Sequence, residues 1–142
     1  MPRDKKRVLC AEPSADICSL VSMMLGRSGY HVVSATTIHD CLELARAERF
    51  DLYMLDDDYI DGTGLQLCKR LREIRPETPI LFFSAAAFAR DREMALEAGA
   101  AAYLMKPDDI FEIVQTVNSI FAGRRSRRTQ RPTAREKLPK RP

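Results

Sequence analysis

The chain has 142 residues, 45% hydrophobic and 30% charged, and reads as one soluble globular domain of ordinary size with a core of its own. No apolar run approaches the ~18 residues that span a bilayer, and the basic start MPRDKKRVLC leads into no apolar stretch of roughly 7–15 residues, so neither a membrane helix nor a secretory signal is predicted and a cytoplasmic location is expected. The net charge of +3 conceals an acidic body: residues 1–7 hold four Lys/Arg and one acid, residues 123–142 hold nine and one, and taking these from 23 and 20 leaves ten bases and eighteen acids in 8–122, a net of −8 that argues against a nucleic-acid-binding face on the fold.

In chain order, VLCA (8–11) is a first strand. Ile17, Leu20, Val21, Met24 and Leu25 then recur at helical spacing, and Gly29 ends that helix. HVVSA (31–35) is a second strand, followed by a helix over 38–48 with Cys41, Leu42 and Ala45 inward. A third strand at 51–55 runs into Asp56, Asp57 and Asp58, and a helix over 65–74 stops before Pro76. PILFF (79–83) is a fourth strand, 88–98 a fourth helix closing at Gly99, and 101–105 a fifth strand. Asp108 is the expected N-cap of a last helix bearing Ile110, Ile113, Val114, Val117 and Phe121 on one side.

Five apolar strands alternating with helices predict an α/β fold, a doubly wound parallel sheet covered on both faces. Ligands of such sheets bind beyond the carboxyl ends of the strands. That rule singles out Glu12, the cluster Asp56–Asp57–Asp58, Ser84 and Lys106. The four cysteines form no C-x-x-C pair and are expected to be buried hydrophobes. No G-x-G-x-x-G follows the first strand, which argues against a dinucleotide enzyme.

A carboxylate that attacks phosphorus needs a cation to screen its charge, a hydroxyl on one phosphoryl oxygen and a fixed positive group on another. The residues at these strand ends supply that set. In four separate places, VLCAEPSADI, FDLYMLDDDYIDGTGLQLCKRLRE, PILFFSA and EAGAAAYLMKP, the chain resembles the receiver domain of two-component response regulators over about residues 7–122. The resemblance is to a chemotaxis-type, stand-alone receiver. It implies a flavodoxin-like (βα)5 fold with strand order 2-1-3-4-5. It also implies phosphorylation at Asp56, phosphoryl contacts from Ser84 and Lys106, Ser84 and Tyr103 as switch residues, and a cis bond before Pro107. An Mg²⁺ site of Glu12, Asp56 and Asp58 is implied as well. The implied partner is a sensor histidine kinase or phosphotransfer protein, with slow autodephosphorylation and no enzyme activity otherwise.

Two positions depart from the family pattern. Pro13 stands where the family has a metal-binding acid and has no side-chain oxygen, which implies a weakened Mg²⁺ site. Ile60 stands where the family commonly has proline. If the third strand stays extended through the aspartates, Asp56 and Asp58 point one way and Asp57 the other, so Asp58 is expected to compensate for Pro13 and Asp57 to be a solvated acid. The expected organisation is a basic arm at 1–7, a receiver at 8–122 and a disordered basic tail at 123–142. The tail reads as a solubilising end, a contact for nucleic acid or an acidic partner, or a linker remnant. Output is expected at the face of the fourth helix, fifth strand and fifth helix, with a homodimer through that face a further expectation. The alternative function is a phosphorylation-independent pseudo-receiver, a protein-interaction module.

Overall fold

In the computed structural model, residues 5–85 and 88–126 are described; the first residues of the expected arm (1–4) and most of the expected tail (127–142) lie outside them. Five strands, β1 (Arg7–Ala11), β2 (His31–Ala35), β3 (Leu52–Leu55), β4 (Ile80–Ser84) and β5 (Ala102–Met105), form one sheet in the order β2-β1-β3-β4-β5. Every pairing in it is parallel. The helices are α1 (Ala15–Arg27), α2 (Ile38–Ala47), α3 (Gly64–Ile74), α4 (Ala89–Glu97) and α5 (Ile113–Ser126). This is the flavodoxin-like (βα)5 arrangement expected from the sequence.

The strands are apolar along their length because both faces are covered. Leu9, Tyr53, Leu55, Ile80 and Phe82 face Cys41, Leu42, Leu67 and Leu71 of α2 and α3. The alternate residues, Val8, Cys10, Leu52, Met54, Leu81 and Phe83, face Val21 and Leu25 of α1 and Ile113 and Val117 of α5. Period-two alternation thus divides one run of apolar residues between two cores. Burying a large side chain in either core contributes roughly 1.5–3 kcal/mol.

The helix starts follow local chemistry. Ser14 and Thr37 cap α1 and α2 by accepting the N–H of Ile17 and Asp40, and Thr63 with Gln66 forms a capping box on α3. Two local expectations are corrected. The inward residues of α1 are Cys18, Val21 and Leu25, while Leu20 is exposed, because the stripe that meets the sheet turns towards Cys18. Asp108 does not cap the last helix: a 3-10 turn at Ile110–Glu112 precedes α5, and the neighbouring Asp109 is buried with its carboxylate accepting the N–H of Met105. That bond ties the turn back to the end of β5, the strand that delivers Lys106.

Candidate functional site

Glu12 follows β1, Asp56 follows β3, Ser84 ends β4 and Lys106 follows β5. The parallel pairing of these four strands brings their ends side by side. Lys106 joins three of the residues: its Nζ lies 2.9 Å from Asp56 Oδ2 and 3.0 Å from Glu12 Oε2. None of the three side chains is more than 13% exposed. The second core therefore ends in two carboxylates that share one ammonium, with the Lys106 Nζ 5.6 Å from the centroid of the Phe83 ring.

Burial pushes the Asp56 carboxyl up to about 6, with the neighbouring Asp57 side chain adding to the rise and Lys106 opposing it. Burial alone would lower Lys106, but its bonds to Asp56 and Glu12 outweigh that and raise it. Asp56 is thus a carboxylate with little water around it and one firm cationic contact. Such a group is more nucleophilic than a solvated acid and is ionised at neutral pH.

The backbone of Asp56 is pinned as well. The Tyr59 hydroxyl accepts the Asp56 N–H at 2.8 Å and donates to the Ala11 carbonyl at 2.7 Å. One buried phenol therefore fastens the end of β3 to the end of β1. Tyr59 belongs to a short antiparallel hairpin, Asp58–Tyr59 with Gly62–Thr63. Asp61 in its turn accepts the N–H groups of Ile38 and His39, anchoring the hairpin to the start of α2. Gly64 permits the close approach of α3: a Cβ there would lie 2.1 Å from the Asp56 carbonyl oxygen.

The expected alternation of the three aspartates fails, because β3 ends at Leu55 and the hairpin begins only at Asp58. Asp57 is half-buried rather than freely solvated, with Oδ1 accepting the Ser84 hydroxyl at 2.5 Å and its own N–H donating to Asp56 Oδ1 at 2.7 Å. Burial works against its ionisation, but the bonds with Asp56 and Ser84 hold it below the usual carboxylate value. Asp58 is exposed on the hairpin. Tyr103 is buried and stacked on Phe82 with ring centroids 5.8 Å apart. The Lys106–Pro107 peptide bond is cis.

Residues 8–118 match the sequence model of the response regulator receiver domain. The chain belongs to this family. Among the relatives of this receiver domain is PhoP, the alkaline phosphatase synthesis transcriptional regulatory protein of Bacillus subtilis (strain 168). It is 34% identical over 116 residues, which are 82% of this chain and 48% of that protein. The transcriptional regulatory protein ZraR of Salmonella typhimurium is 30% identical over 134 residues, 94% of this chain and 30% of that protein. The chain spans less than half the length of either relative. The non-phosphorylated HemR receiver domain from Leptospira biflexa superposes with a TM-score of 0.78 at 29% identity, covering 91% of this chain and 99% of that chain. A CheY-like receiver domain protein from Methanospirillum hungatei JF-1 shares the fold, with a TM-score of 0.82 at 24% identity over 88% of this chain and all of that chain. Receiver domains are signalling domains of two-component systems. In the described residues of this one, no helix is long and apolar enough to cross a membrane.

The receiver offers a divalent cation two buried carboxylates. Glu12 and Asp56 are buried hard-oxygen donors on one side of the site, the donor chemistry that Mg²⁺ prefers, with water completing its shell. Pro13 is exposed and adds no oxygen. Among the described residues no group of three or more His, Cys, Asp or Glu side chains is arranged to hold a metal. The donor set therefore fits the ion through two carboxylates only, and Asp58 does not bring its side chain into a third position.

Two residues of the site were missed by sequence reasoning. Tyr59 is one; its signal was an aromatic hydroxyl three residues beyond Asp56 in an otherwise polar turn. Asp57 is the other; its role depends on where β3 stops, which no periodicity announces. All four cysteines are buried free thiols, as expected, and the Cys18 thiol donates to the Glu12 carbonyl at 3.3 Å.

Proposed function

We propose that Asp56 accepts a phosphoryl group from a phosphohistidine on a partner histidine kinase or phosphotransfer protein. The observation that carries this reading is the buried Asp56 carboxylate held by Lys106 beside Glu12. The histidine N–P bond breaks as an Asp56 O–P bond forms, and the electron pair of the broken bond stays on the imidazole. Lys106 holds one phosphoryl oxygen and the Ser84 hydroxyl another, each meeting charge that the transferred group carries. Glu12 and Asp56, with the Asp58 position next to them in the sequence, would hold Mg²⁺, whose charge would offset that of the transferred group. Ser84 and Tyr103 pass the change to the face of α4, β5 and α5, where a downstream protein or a second copy docks. Hydrolysis of the acyl phosphate resets the site slowly. The receiver acts in the cytoplasm.

Treatment with acetyl phosphate and Mg²⁺ tests this. The expected result is a mass increase of one phosphoryl group that is absent in Asp56→Asn. A chain that stays unmodified overturns the reading.

A second reading, a pseudo-receiver that binds partners without phosphorylation, is favoured by Pro13 and by the two-carboxylate donor set. A Mg²⁺ titration separates the two. Saturable binding that weakens in Glu12→Gln and strengthens in Pro13→Asp supports phosphotransfer; absence of binding supports the pseudo-receiver.

A further inference from the structure

β5 is the last strand of the sheet and pairs with β4 on one side only. Successive residues of a strand turn their backbone groups to opposite sides. The Lys106 N–H turns inward and donates to the Ser84 carbonyl at 2.8 Å. Met105, one residue earlier, therefore presents its N–H and C=O to the open edge. Asp109 meets both groups. Its carboxylate accepts the Met105 N–H at 2.8 Å, and its own N–H donates to the Met105 carbonyl at 2.8 Å. A single residue thus pairs with the edge as a residue of a sixth strand would. Asp109 is 1% exposed, and a carboxylate so deeply buried is kept only where bonds hold it. Its carbonyl also takes the Glu112 N–H that opens the 3-10 turn, a bond that any residue at this position would keep.

This edge lies at the root of a long reach. The Lys106 ammonium crosses β4 to arrive at Asp56, after β3, and Glu12, after β1. Neighbouring strands lie about 4.8 Å apart, so β3 and β1 lie roughly 10 and 14 Å from the axis of β5. At that distance a small rotation of the backbone at Lys106 moves Nζ far enough to break either bond. We propose that Asp109 is a positioning residue for phosphoryl transfer: by pairing with both outward backbone groups of Met105, it fixes the backbone from which Lys106 reaches Asp56 and Glu12. The inference rests on the reading that Lys106 holds a phosphoryl oxygen. It deepens that reading by naming a buried carboxylate outside the site that aims the lysine. The Ser84 carbonyl holds the inner side of this backbone and Asp109 the outer side.

Nitrogen NMR of the lysine ammonium groups tests this on the full chain with ¹⁵N in its lysines. An ammonium bonded to two buried carboxylates exchanges its protons slowly and gives a resolved signal, whereas exposed ones exchange too fast to be seen. Lys106→Met assigns the Lys106 signal. Asp109→Ala is expected to shift or abolish it, while the backbone amide signals of β1 and β3 stay in place and report an intact fold. The same variant is expected to be labelled by acetyl phosphate and Mg²⁺ about tenfold more slowly than wild type, the cost of a misplaced contact. Asp109→Asn keeps an acceptor oxygen at the same reach and is expected to restore both the signal and the rate. The proposal is overturned if Asp109→Ala loses stability in urea yet keeps the wild-type ammonium signal, because Asp109 would then serve the fold alone. It is equally overturned if Asp109→Asn behaves as Asp109→Ala does. Should Asp109→Ala fail to fold, Asp109→Glu, whose extra methylene carries the carboxylate past the Met105 N–H, must displace the signal or the proposal fails. If acetyl phosphate leaves the wild type unlabelled, the phosphoacceptor reading fails, while the ammonium signal still decides the role of Asp109.

Discussion

The Lys106 ammonium lies 2.9 Å from Asp56 Oδ2, and the same nitrogen serves Glu12 at 3.0 Å. Removing it leaves two buried carboxylates facing each other without a cation. Lys106→Met is therefore expected to lose roughly 3 kcal/mol of stability at neutral pH, the usual scale for breaking a buried pair by deleting one partner. Part of the loss should return in Lys106→Met with Asp56→Asn, which removes one of the stranded charges. Urea unfolding of the two variants checks this; equal midpoints for Lys106→Met and wild type would contradict it.

Asp56 carries a stability cost whose pH dependence follows from its raised pKa. The folded-state value is about 6 against an ordinary 3.8, so the fold favours the protonated form. The stability contributed by that preference is complete below about pH 4 and is lost as pH rises through about 6. Asp56→Asn, which has no charge to bury, is expected to be more stable than wild type at pH 7–8 by on the order of 2 kcal/mol. The difference should vanish towards pH 4. Thermal or urea unfolding across that range measures it, and a difference independent of pH would be the wrong result.

The same raised value predicts the pH profile of phosphorylation. Attack on phosphorus needs the ionised carboxylate. The initial rate of labelling by acetyl phosphate is expected to be flat above about pH 7 and to fall about tenfold per unit well below 6. A profile that stays level down to pH 4.5 would exclude Asp56 as the titrating nucleophile.

Tyr59→Phe keeps the ring and removes the hydroxyl that joins Asp56 to Ala11. A buried N–H and a buried carbonyl lose their partner, at a cost of about 1–3 kcal/mol. Labelling at Asp56 is expected to slow as well, because the end of β3 loses its tie to β1. Hydrogen exchange should show the Asp56 amide opening faster than in wild type, whereas the amides of α5 should not change.

Gly64→Ala places a Cβ 2.1 Å from the Asp56 carbonyl oxygen, with the Asp57 Cα and the Phe82 ring each at 2.9 Å. Backbone and a packed ring cannot yield as a flexible side chain would. The variant is expected to lose several kcal/mol or to displace the start of α3 from the site. Circular dichroism with urea unfolding distinguishes it from a tolerated change, which would leave the midpoint within about 0.5 kcal/mol of wild type.

The sequence by itself determined the βα alternation, the parallel sheet and the strand ends at which Glu12, Asp56, Ser84 and Lys106 lie. Those features follow from local periodicity and from the rule that apolar strands must be covered on both faces, so they are readable from neighbours in the chain. The four family motifs determined the receiver assignment in the same way. Only the tertiary structure decided the roles of Asp57, Asp58 and Tyr59. Where β3 stops extending is set by the hairpin, by Asp61 on the start of α2 and by Gly64 under α3, all contacts between separate segments. Once extension stops at Leu55, alternation no longer says which way a side chain turns. Asp57 therefore reaches Ser84, Asp58 faces solvent, and the Tyr59 phenol, whose nearest partner in space is 48 positions away in the chain, holds the Asp56 backbone in place.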